Sequence, residues 1–389
     1  MSIREQLRAE ALALGFSQAG FAPAAVPPSA PRLLEWLEAG AHASLEYMAK
    51  EPTRRMDPRT YWPEAQTLLV VSLGYAPTLE DPPCGPLEGR VARYARGEDY
   101  HEVMKVRLQA LGRMAEKLLP GLRWIAVVDA SAVLERAHAV QAGLGWFGKN
   151  SMLLSRAVGS YTLLGVLLLN QKLEPDAPTS DHCGSCRRCV EACPTQAIVA
   201  PGQVDARRCV SAITIELRGM LSEPQREGWK GWVFGCDICQ EVCPWVKKAG
   251  PHAPPEMLRL QPERAVVSLA TLLTDTPESF AARWKKSAVK RTKRVGLARN
   301  AAFLLGQSPD HAGAVELLKQ GLTHDEPVVR GASGWALATQ GGAQARLLLE
   351  RACAREPDAQ AQGVMQQGLA RGSEGGVISQ GVRAEGKPG

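Results

Sequence analysis

Eight of the ten cysteines lie between Cys183 and Cys243, and their spacing is suited to iron–sulfur chemistry. The segment HCGSCRRCVEACP has the pattern C-x2-C-x2-C-x3-C-P, which is typical of bacterial ferredoxins with two clusters. In that pattern the first three thiolates bind one cluster and the fourth binds the other. The run therefore predicts two [4Fe–4S] clusters and an electron-transfer function.

A second run, GCDICQEVCPW, matches the last three positions of the same pattern and lacks the first. Cys209 is the only nearby cysteine that can fill the gap. One cluster is then predicted on three cysteines of the first run and the last of the second: Cys183, Cys186, Cys189 and Cys243. The other cluster is predicted on the remaining four: Cys193, Cys209, Cys236 and Cys239.

Zinc is the alternative for such a segment, because zinc also favours C-x2-C pairs. Eight cysteines with two Cys-Pro endings fit tetrahedral zinc sites poorly, which favours iron–sulfur clusters. The two cysteines outside the runs, Cys84 and Cys353, are predicted to be free thiols.

Asp129 is the candidate proton donor. It closes WIAVVD, a predicted strand, and ligands bind near strand ends in layered α/β folds. An acid at that place can protonate a leaving group if its pKa is raised. The alternative is that Asp129 caps the helix that follows. Further side chains could line the rim of a ligand pocket near Asp129: Tyr94, Tyr100, His101, Lys149 and Asn150.

The elements that must position these residues form an α/β unit over residues 1–175. Amphipathic helices are predicted near 3–14, 31–39 and 101–118. Buried strands are predicted at 67–74, 124–129 and 161–169. This alternation favours a layered α/β domain. No GxGxxG motif follows any of these strands and no P-loop motif occurs, so neither dinucleotide binding nor a P-loop site has support.

Two proline-containing segments mark domain boundaries, LEPDAPTS at 173–180 and PHAPPEM at 251–257. The predicted domains are an α/β domain, a cysteine-rich domain and a helical domain, followed by a disordered Gly-rich tail: 1–175, 176–255, 256–370 and 371–389. In the helical domain, which becomes helical from about 285, the similar segments 299–306 and 330–337 lie 31 residues apart. This spacing predicts stacked helix pairs of HEAT type, with an ordinary helical bundle as the alternative.

The net charge of +6 is concentrated in one segment, residues 283–299, which carries eight Lys or Arg residues and no Asp or Glu. If the segment is helical, four of these side chains share a face: Lys286, Lys290, Lys293 and Arg294. Such a face suits contacts with the phosphates of a nucleic acid. The alternative is a solvated helix face.

No membrane association or export is expected. The N-terminal segment has apolar residues at helical spacing and lacks the apolar core and cleavage site of a signal peptide. The longest apolar stretch, 163–169, is far shorter than the roughly 18 residues of a spanning helix. We expect a cytoplasmic protein.

Several motifs, in this order, resemble the cobalamin-dependent epoxyqueuosine reductases of tRNA modification over nearly the whole chain. They are RYARGEDYH, VVD with Glu135 and Arg136 downstream, AGLGWFGKN, the two cysteine runs and SAVKRTKRVGLARNAA. The resemblance implies a nitroreductase-like α/β domain that binds base-off cobalamin, a two-cluster ferredoxin domain and an all-α HEAT-like domain. The chain lacks D-x-H-x-x-G, the source of the lower-ligand histidine in other cobalamin proteins, which is consistent with base-off binding.

The resemblance also implies that the protein reduces epoxyqueuosine to queuosine in the tRNA anticodon loop. Electrons from an external donor would pass through the clusters to cobalamin, and Asp129 would be the proton donor. Residues expected near cobalamin or the substrate are Arg55, Tyr94, Tyr100, Lys149, Asn150, Ser160 and Tyr161, with Ser211 and Asp237 facing cobalamin across the domain junction. Residues expected to bind tRNA are Lys286, Lys290, Arg291, Lys293, Arg294 and Arg299. A monomer is expected.

Two other classes of protein fit part of the sequence. A reductive dehalogenase would share the cobalamin domain and the clusters, but it has no need of a basic helical domain and typically carries an export signal. A ferredoxin-type electron carrier would not need about 175 residues before its cysteines.

Overall fold

The computed structural model describes residues 1–76, 80–129, 131–250 and 258–373. The predicted boundary segment 251–257 and most of the predicted tail, 374–389, lie outside the described residues. The last described helix continues to Ser373, so the tail boundary predicted at 371 falls inside a helix. Within the described residues, no helix is both long and apolar enough to cross a membrane.

The first region is built on a four-stranded sheet with the order β1-β2-β7-β4: β1 Gln18–Pro23, β2 Thr67–Gly74, β7 Thr162–Leu169 and β4 Trp124–Val127. Strands β2 and β7 form its apolar centre, and every residue of β2 is buried. The three strands predicted from apolar runs are confirmed. All neighbouring pairs are antiparallel. Strand β4 ends at Val127, so Asp129 lies two residues beyond the strand that it was predicted to close.

Helices cover both faces of this sheet. The predicted helices are confirmed as α1 Ile3–Ala13, α2 Pro31–Glu38 and α6 Tyr100–Leu118. Helix α6 packs against β4 and β7, whereas α7, Glu135–Gln141, packs against β1, β2 and β7. The remaining elements before the cysteine-rich region are short: α3 Glu46–Ala49, α4 Pro52–Met56, α5 Pro58–Tyr61, β3 Glu88–Val91, β5 Trp146–Phe147 and β6 Leu153–Leu154, with a 3-10 helix Arg93–Ala95.

Short elements carry the cysteine-rich region, and several begin or end at a cysteine. They are α8 Arg188–Ala192, β8 Ile198–Ala200, β9 Gln203–Val204, α9 Val210–Glu216, β10 Trp232–Phe234, α10 Ile238–Glu241 and α11 Pro244–Ala249, with a 3-10 helix Glu223–Arg226. Cys193 follows α8, and Cys209 and Cys243 immediately precede α9 and α11. Gly159, with a φ of 65°, lets the first region approach α11, because a Cβ there would lie 2.9 Å from Cα of Val246.

A second sheet joins the three predicted domains. Strand β3 of the first region pairs in parallel with β10 of the cysteine-rich region. On its other side, β3 pairs antiparallel with β11, Val266–Ser268, which precedes the C-terminal helices. The domains predicted as consecutive segments are therefore connected by shared backbone hydrogen bonds.

The C-terminal region is helical from Leu269, earlier than the 285 predicted. Its helices are α12 Leu269–Thr274, α13 Pro277–Arg283, α14 Lys293–Gly306, α15 His311–Gly321, α16 Pro327–Gln340, α17 Gly342–Arg355 and α18 Ala359–Ser373, with 3-10 helices Pro262–Arg264 and Ala288–Thr292. The two similar segments of the sequence fall on α14 and α16, which pack against each other. Each is followed by a second helix, α15 or α17, so the repeat corresponds to two successive helix pairs.

Candidate functional site

Four cysteines surround a cavity of about 200 Å³ between the first region and the cysteine-rich region. They are Cys183, Cys186, Cys189 and Cys243, the first predicted set. The other residues that line the cavity include Lys149, Asn150, His182, Trp245 and Lys248. Thiols spread around a cavity suit the corners of a [4Fe–4S] cube. Among the described residues, no three His, Cys, Asp or Glu side chains are grouped tightly enough to hold a single metal ion.

The other four cysteines form a second group. Burial raises the pKa of Cys236, and the nearby thiols of Cys239 and Cys209 raise it further. Burial and the Cys193 thiol raise the pKa of Cys209 in the same way. Cys209 thus lies with the second group, at the position missing from the second run.

Lys149 and Asn150, expected near cobalamin, contact the cysteine-bearing loops. Lys149 Nζ donates hydrogen bonds to the carbonyl oxygens of Gly184, at 2.7 Å, and Cys186, at 2.9 Å. Asn150 Nδ2 donates to the Cys239 carbonyl at 3.3 Å. These two residues hold the loops of both cysteine groups against the first region.

Asp129 lies at the centre of a hydrogen-bonded group at the start of α6. Its Oδ2 accepts a hydrogen bond from the Tyr100 hydroxyl and lies 3.2 Å from His101 Nε2. On the other side of the imidazole, Nδ1 lies 2.7 Å from Asp99 Oδ1. Asp129 has a φ of 48° and does not cap α7, whose N-cap is Leu134. The helix-cap alternative is therefore excluded.

The hydrogen bonds of this group determine the pKa of Asp129, which would have to be raised for Asp129 alone to act as an acid. The surrounding protein raises the pKa of Asp129, but the hydrogen bonds from His101 and Tyr100 outweigh that effect and lower it. Burial lowers the pKa of His101, but its hydrogen bonds to Asp129 and Asp99 outweigh burial and raise it to about 9. At neutral pH the proton of this group therefore resides on His101, next to an ionised Asp129.

Tyr47 interacts with Asp129, with the end of α9 and with residues 283–299, which we call the basic segment. Burial and the charges of Glu216, at the end of α9, and Asp129 raise the pKa of Tyr47 to about 12. The guanidinium carbons of Arg55 and Arg291 lie 5.7 and 5.5 Å from the centre of the Tyr47 ring. The site is thus a junction between all three regions of the chain.

Arg55, expected near cobalamin, is buried and donates to backbone carbonyls. Its hydrogen bonds go to Tyr47 O, at 2.7 Å for the shorter contact, and to Ser131 O at 3.4 Å. Arg55 therefore joins α3 to the loop that follows Asp129. Its role in the site is to position this helix and this loop.

Tyr94 and Tyr100 meet edge to face, with ring centres 6.0 Å apart. Tyr94 also lies 6.1 Å from the Phe234 ring, at the end of β10. Burial and the charge of Asp129 raise the pKa of Tyr94 well above its usual value. The pair forms the wall between Asp129 and the cysteine-rich region.

Three other residues expected near cobalamin belong to a buried hydrogen-bonded network. Ser160 donates to Gln240 Oε1 at 3.0 Å, and Gln240 donates to Asp237 Oδ1 at 3.2 Å. Asp237 accepts from the Arg93 backbone N–H at 2.8 Å, and Arg93 donates to the Tyr161 hydroxyl at 2.7 Å. Ser160, Tyr161 and Asp237 are each at most 1% exposed, and in this structure they fix α10 to the first region. Ser211 is half-buried in the first turn of α9, two residues after Cys209.

The predicted basic helix face is also wrong, because residues 283–299 do not form one helix. The segment includes the end of α13, a 3-10 helix and the start of α14, and Lys286 and Lys293 have positive φ values of 53° and 63°. The lysines are nevertheless exposed: Lys285, Lys286, Lys290 and Lys293. The Asp99 backbone N–H donates to the Lys286 carbonyl at 2.7 Å, which joins this basic segment to the start of α6.

The arginines of the segment have partners within the protein. Arg291 forms a bidentate ion pair with Glu216, with its shortest contact at 2.9 Å. Arg294 pairs with Asp325, and only 13% of its side chain is exposed. Arg299, predicted to bind tRNA, is 1% exposed and in this structure donates to the carbonyls of Leu217 and Gly219.

Comparisons with known proteins agree with these features. A family model described as "Epoxyqueuosine reductase QueG, DUF1730" matches residues 55–130, and the model "4Fe-4S double cluster binding domain" matches residues 182–246. The epoxyqueuosine reductase of Cellulophaga algicola is 38% identical over 299 residues, which are 77% of this chain and 96% of the relative. The chain belongs to the epoxyqueuosine reductase family. The Escherichia coli epoxyqueuosine reductase is 34% identical over 345 residues, 87% of this chain and 89% of the relative.

Solved structures of the family superpose over almost the whole chain. A crystal structure of an epoxyqueuosine reductase with an epoxyqueuosine-modified tRNA-Tyr stem loop has a TM-score of 0.87 and 32% identity, covering 95% of this chain and 98% of that one. The Bacillus subtilis enzyme, with an aspartate-bearing catalytic loop swung out of the active site, has a TM-score of 0.87 and 30% identity at the same coverage. The family resemblance and the two [4Fe–4S] clusters predicted from the sequence are confirmed.

Several residues of the site could not be selected from the sequence. Asp99 and Arg93 lie within RYARGEDYH, but nothing in that motif distinguishes the partner of His101 from a surface acid. Tyr47 and Glu216 lie outside every motif, and only the fold brings them to Asp129.

Proposed function

We propose that this protein reduces epoxyqueuosine in tRNA to queuosine, as its family does. The observation that carries the proposal is the Asp99–His101–Asp129 group, which stores a proton at the junction of the first region, the cysteine-rich region and the basic segment. Removal of the epoxide oxygen as water consumes two electrons and two protons. An oxygen leaves poorly as an alkoxide, so the reaction needs an acid at this point.

Each cysteine group would bind one [4Fe–4S] cluster. The cavity lined by the first group supports the ligands Cys183, Cys186, Cys189 and Cys243. The other four thiols lie close enough to raise one another's pKa values. This proximity supports a second ligand set of Cys193, Cys209, Cys236 and Cys239. The clusters would supply one-electron transfer between an external donor and the pocket.

Cobalamin fits the junction beside Asp129. Asp129 is exposed, and Tyr47 and Tyr94 lie near enough for the charges of Asp129 and Glu216 to raise their pKa values. We propose that cobalamin binds between Asp129 and α9. Tyr94, Tyr100 and Ser211 would then be among the residues that surround it. When bound, cobalamin would supply a low-valent cobalt centre for reduction of the epoxide.

His101 and Asp129 deliver the first proton as a pair. The Nε2–H bond of the imidazolium breaks, the Asp129 carboxylate takes the proton, and the epoxide oxygen receives it as its bond to carbon breaks. Asp99 stabilises the imidazolium beforehand. Tyr100, which donates to the same Asp129 oxygen, keeps the carboxylate oriented.

Glu135 is suited to hold the second proton. Burial raises the pKa of Glu135 to about 8, with a further contribution from the charge of Asp129. Its Oε1 is buried and has no hydrogen-bond partner. Glu135 is therefore a neutral carboxylic acid near Asp129 at neutral pH.

The exposed lysines of residues 285–293 would bind the phosphates of the anticodon stem loop. The segment that carries these lysines is bound to the residues around Asp129, which supports this role. The Lys286 carbonyl accepts a hydrogen bond from the Asp99 N–H, and Arg291 forms an ion pair with Glu216 beside Tyr47. An enzyme that acts on a base of a loop must hold the splayed nucleotide in its pocket. The helix pairs α14–α15 and α16–α17 support a HEAT-type scaffold behind this segment.

Anaerobic reconstitution with iron, sulfide and cobalamin tests the function. The loaded protein is incubated with a strong reductant and epoxyqueuosine-containing tRNA, and the digested nucleosides are analysed by mass spectrometry. We expect conversion of epoxyqueuosine to queuosine, which requires cobalamin. No conversion by protein with full iron and cobalamin content would refute the proposal.

A further inference from the structure

The two cysteine groups differ in how deeply the protein encloses them. Around the second group, Asp237 and Gln240 are 1% and 5% exposed and are bound to the first region through Ser160 and Arg93. Around the first group, Gly184, Ser185, Arg187 and Arg188 are all exposed. The first group is thus the outer one, and the second lies toward the pocket.

The outer group is bordered by positive charge. Six basic residues, which we call the outer rim, lie in the segments that border it: Lys149, Arg156, Arg187, Arg188, Lys247 and Lys248. The residues that line the cavity include two of these lysines and no carboxylate. The acids of residues 147–156, 181–193 and 244–250 are Asp181, whose Oδ1 accepts from the Cys183 N–H, and Glu191, 3.9 Å from Arg187.

An aromatic residue next to the cysteines lies beside the outer rim. Trp245 is half-buried, follows Cys243 by two residues and has its ring 5.1 Å from the Trp146 ring. Lys248 Nζ lies 4.4 Å from the centre of the Trp245 ring. A small apolar contact surrounded by like charges is suited to a short-lived, electrostatically guided complex.

We propose that the outer rim is the docking surface of a small acidic one-electron carrier protein. One electron passes from the reduced centre of the carrier to the cluster on the outer cysteines, and no proton moves with it. The inference rests on the proposed function only in that both require the two clusters. Such complexes bury less than about 1,200 Å², so their association rates depend strongly on charge and on salt.

The test reverses two charges of the outer rim that do not line the cavity, in Lys247→Glu/Arg188→Glu. The matched control is Arg113→Glu/Lys117→Glu, which reverses one arginine and one lysine that are exposed on α6. The probe is a plant-type [2Fe–2S] ferredoxin kept reduced by NADPH and ferredoxin reductase. Bleaching of the protein's [4Fe–4S] absorbance is followed by stopped flow without tRNA, so the result does not depend on turnover.

At low ionic strength we expect the rim variant to accept electrons from ferredoxin at least about 10-fold more slowly than the unaltered protein, and added salt should remove the difference. The control variant should stay within about 2-fold, because the steering charge is local. Photoreduced deazariboflavin, an uncharged reductant, should reduce the unaltered protein and both variants equally fast. Titration of oxidised ferredoxin with the cluster-loaded protein, followed by NMR line broadening, should show weaker binding for the rim variant alone.

Equal rates with ferredoxin for the rim and control variants would overturn the proposal. A rim variant that keeps its ferredoxin rate but binds the tRNA stem loop more weakly would also overturn it, because the surface would then belong to RNA. If the double reversal lowers iron content, Lys247→Glu alone is measured in its place against Lys117→Glu, with the same criteria.

Discussion

The pocket around Asp129 and the basic segment both concentrate charge, but they arrange it differently. In the pocket, opposite charges touch, and Asp99, His101 and Asp129 set one another's pKa values. In the basic segment, exposed lysines of like charge face solvent. Charges in contact act as a unit, whereas separated like charges contribute roughly additively. Single substitutions should therefore be severe in the pocket and mild in the segment.

The largest effect is expected for Asp129→Asn. An amide can neither take a proton from His101 nor pass one on, so we expect turnover to fall by about 10²- to 10⁴-fold. Cobalamin and iron content should not change. Glu102→Gln, which alters an exposed carboxylate next to His101 on the first turn of α6, is the control and should stay within about 2-fold. Near-normal turnover of the Asp129 variant would remove it from the mechanism.

A shifted pH dependence is expected for Asp99→Asn. The pKa of His101 is raised to about 9 in the structure, so the imidazolium is present below that pH and lost above it. Activity should therefore fall as the pH rises through about 9. Loss of the Asp99 carboxylate lowers the pKa of His101, so the alkaline limb should move to lower pH. An unchanged limb in the pH–rate profile would show that His101 is not the titrating group.

A moderate effect on tRNA binding is expected for the triple variant Lys286→Ala/Lys290→Ala/Lys293→Ala. Loss of three phosphate contacts should weaken binding of the stem loop by about 10- to 100-fold and reduce the salt slope by about two to three. Filter binding at several salt concentrations measures both quantities. Lys319→Ala, on α15, is the control. An unchanged salt slope would exclude the segment from the RNA interface.

The smallest effects are expected for the single lysine variants. Each should weaken stem-loop binding by about 2- to 5-fold, and together they should account for the triple variant, because phosphate contacts add independently. One dominant lysine would contradict the additive description of this segment.

The sequence was informative where chemistry depends on short-range spacing. The cysteine runs predicted the cluster-binding segment, and the vacant position in the second run indicated Cys209. The apolar runs predicted β2 and β7 because strands buried on both faces need continuous apolar sequence. None of these features depends on a distant part of the chain.

The sequence was uninformative where chemistry depends on tertiary partners. The hydrogen bond from His101, 28 residues earlier, lowers the pKa of Asp129, and the sequence does not reveal that partner. Arg299 has the positive charge expected of a tRNA contact. In the fold, however, it is buried and donates hydrogen bonds to the carbonyls of Leu217 and Gly219. Nothing in the sequence near Ser160 and Asp237 reveals the buried hydrogen bonds that connect them with Gln240 and Arg93.

Asp129 receives its proton from His101 in the proposed reaction, and a double-mutant cycle measures whether the two side chains act in one transfer. Single-turnover formation of queuosine is measured for the unaltered protein, Asp129→Asn, His101→Gln and the double variant. The account predicts that the double variant is no more than about 3-fold slower than Asp129→Asn, because both substitutions break the same transfer. A double variant whose loss equals the product of the two single losses would contradict it.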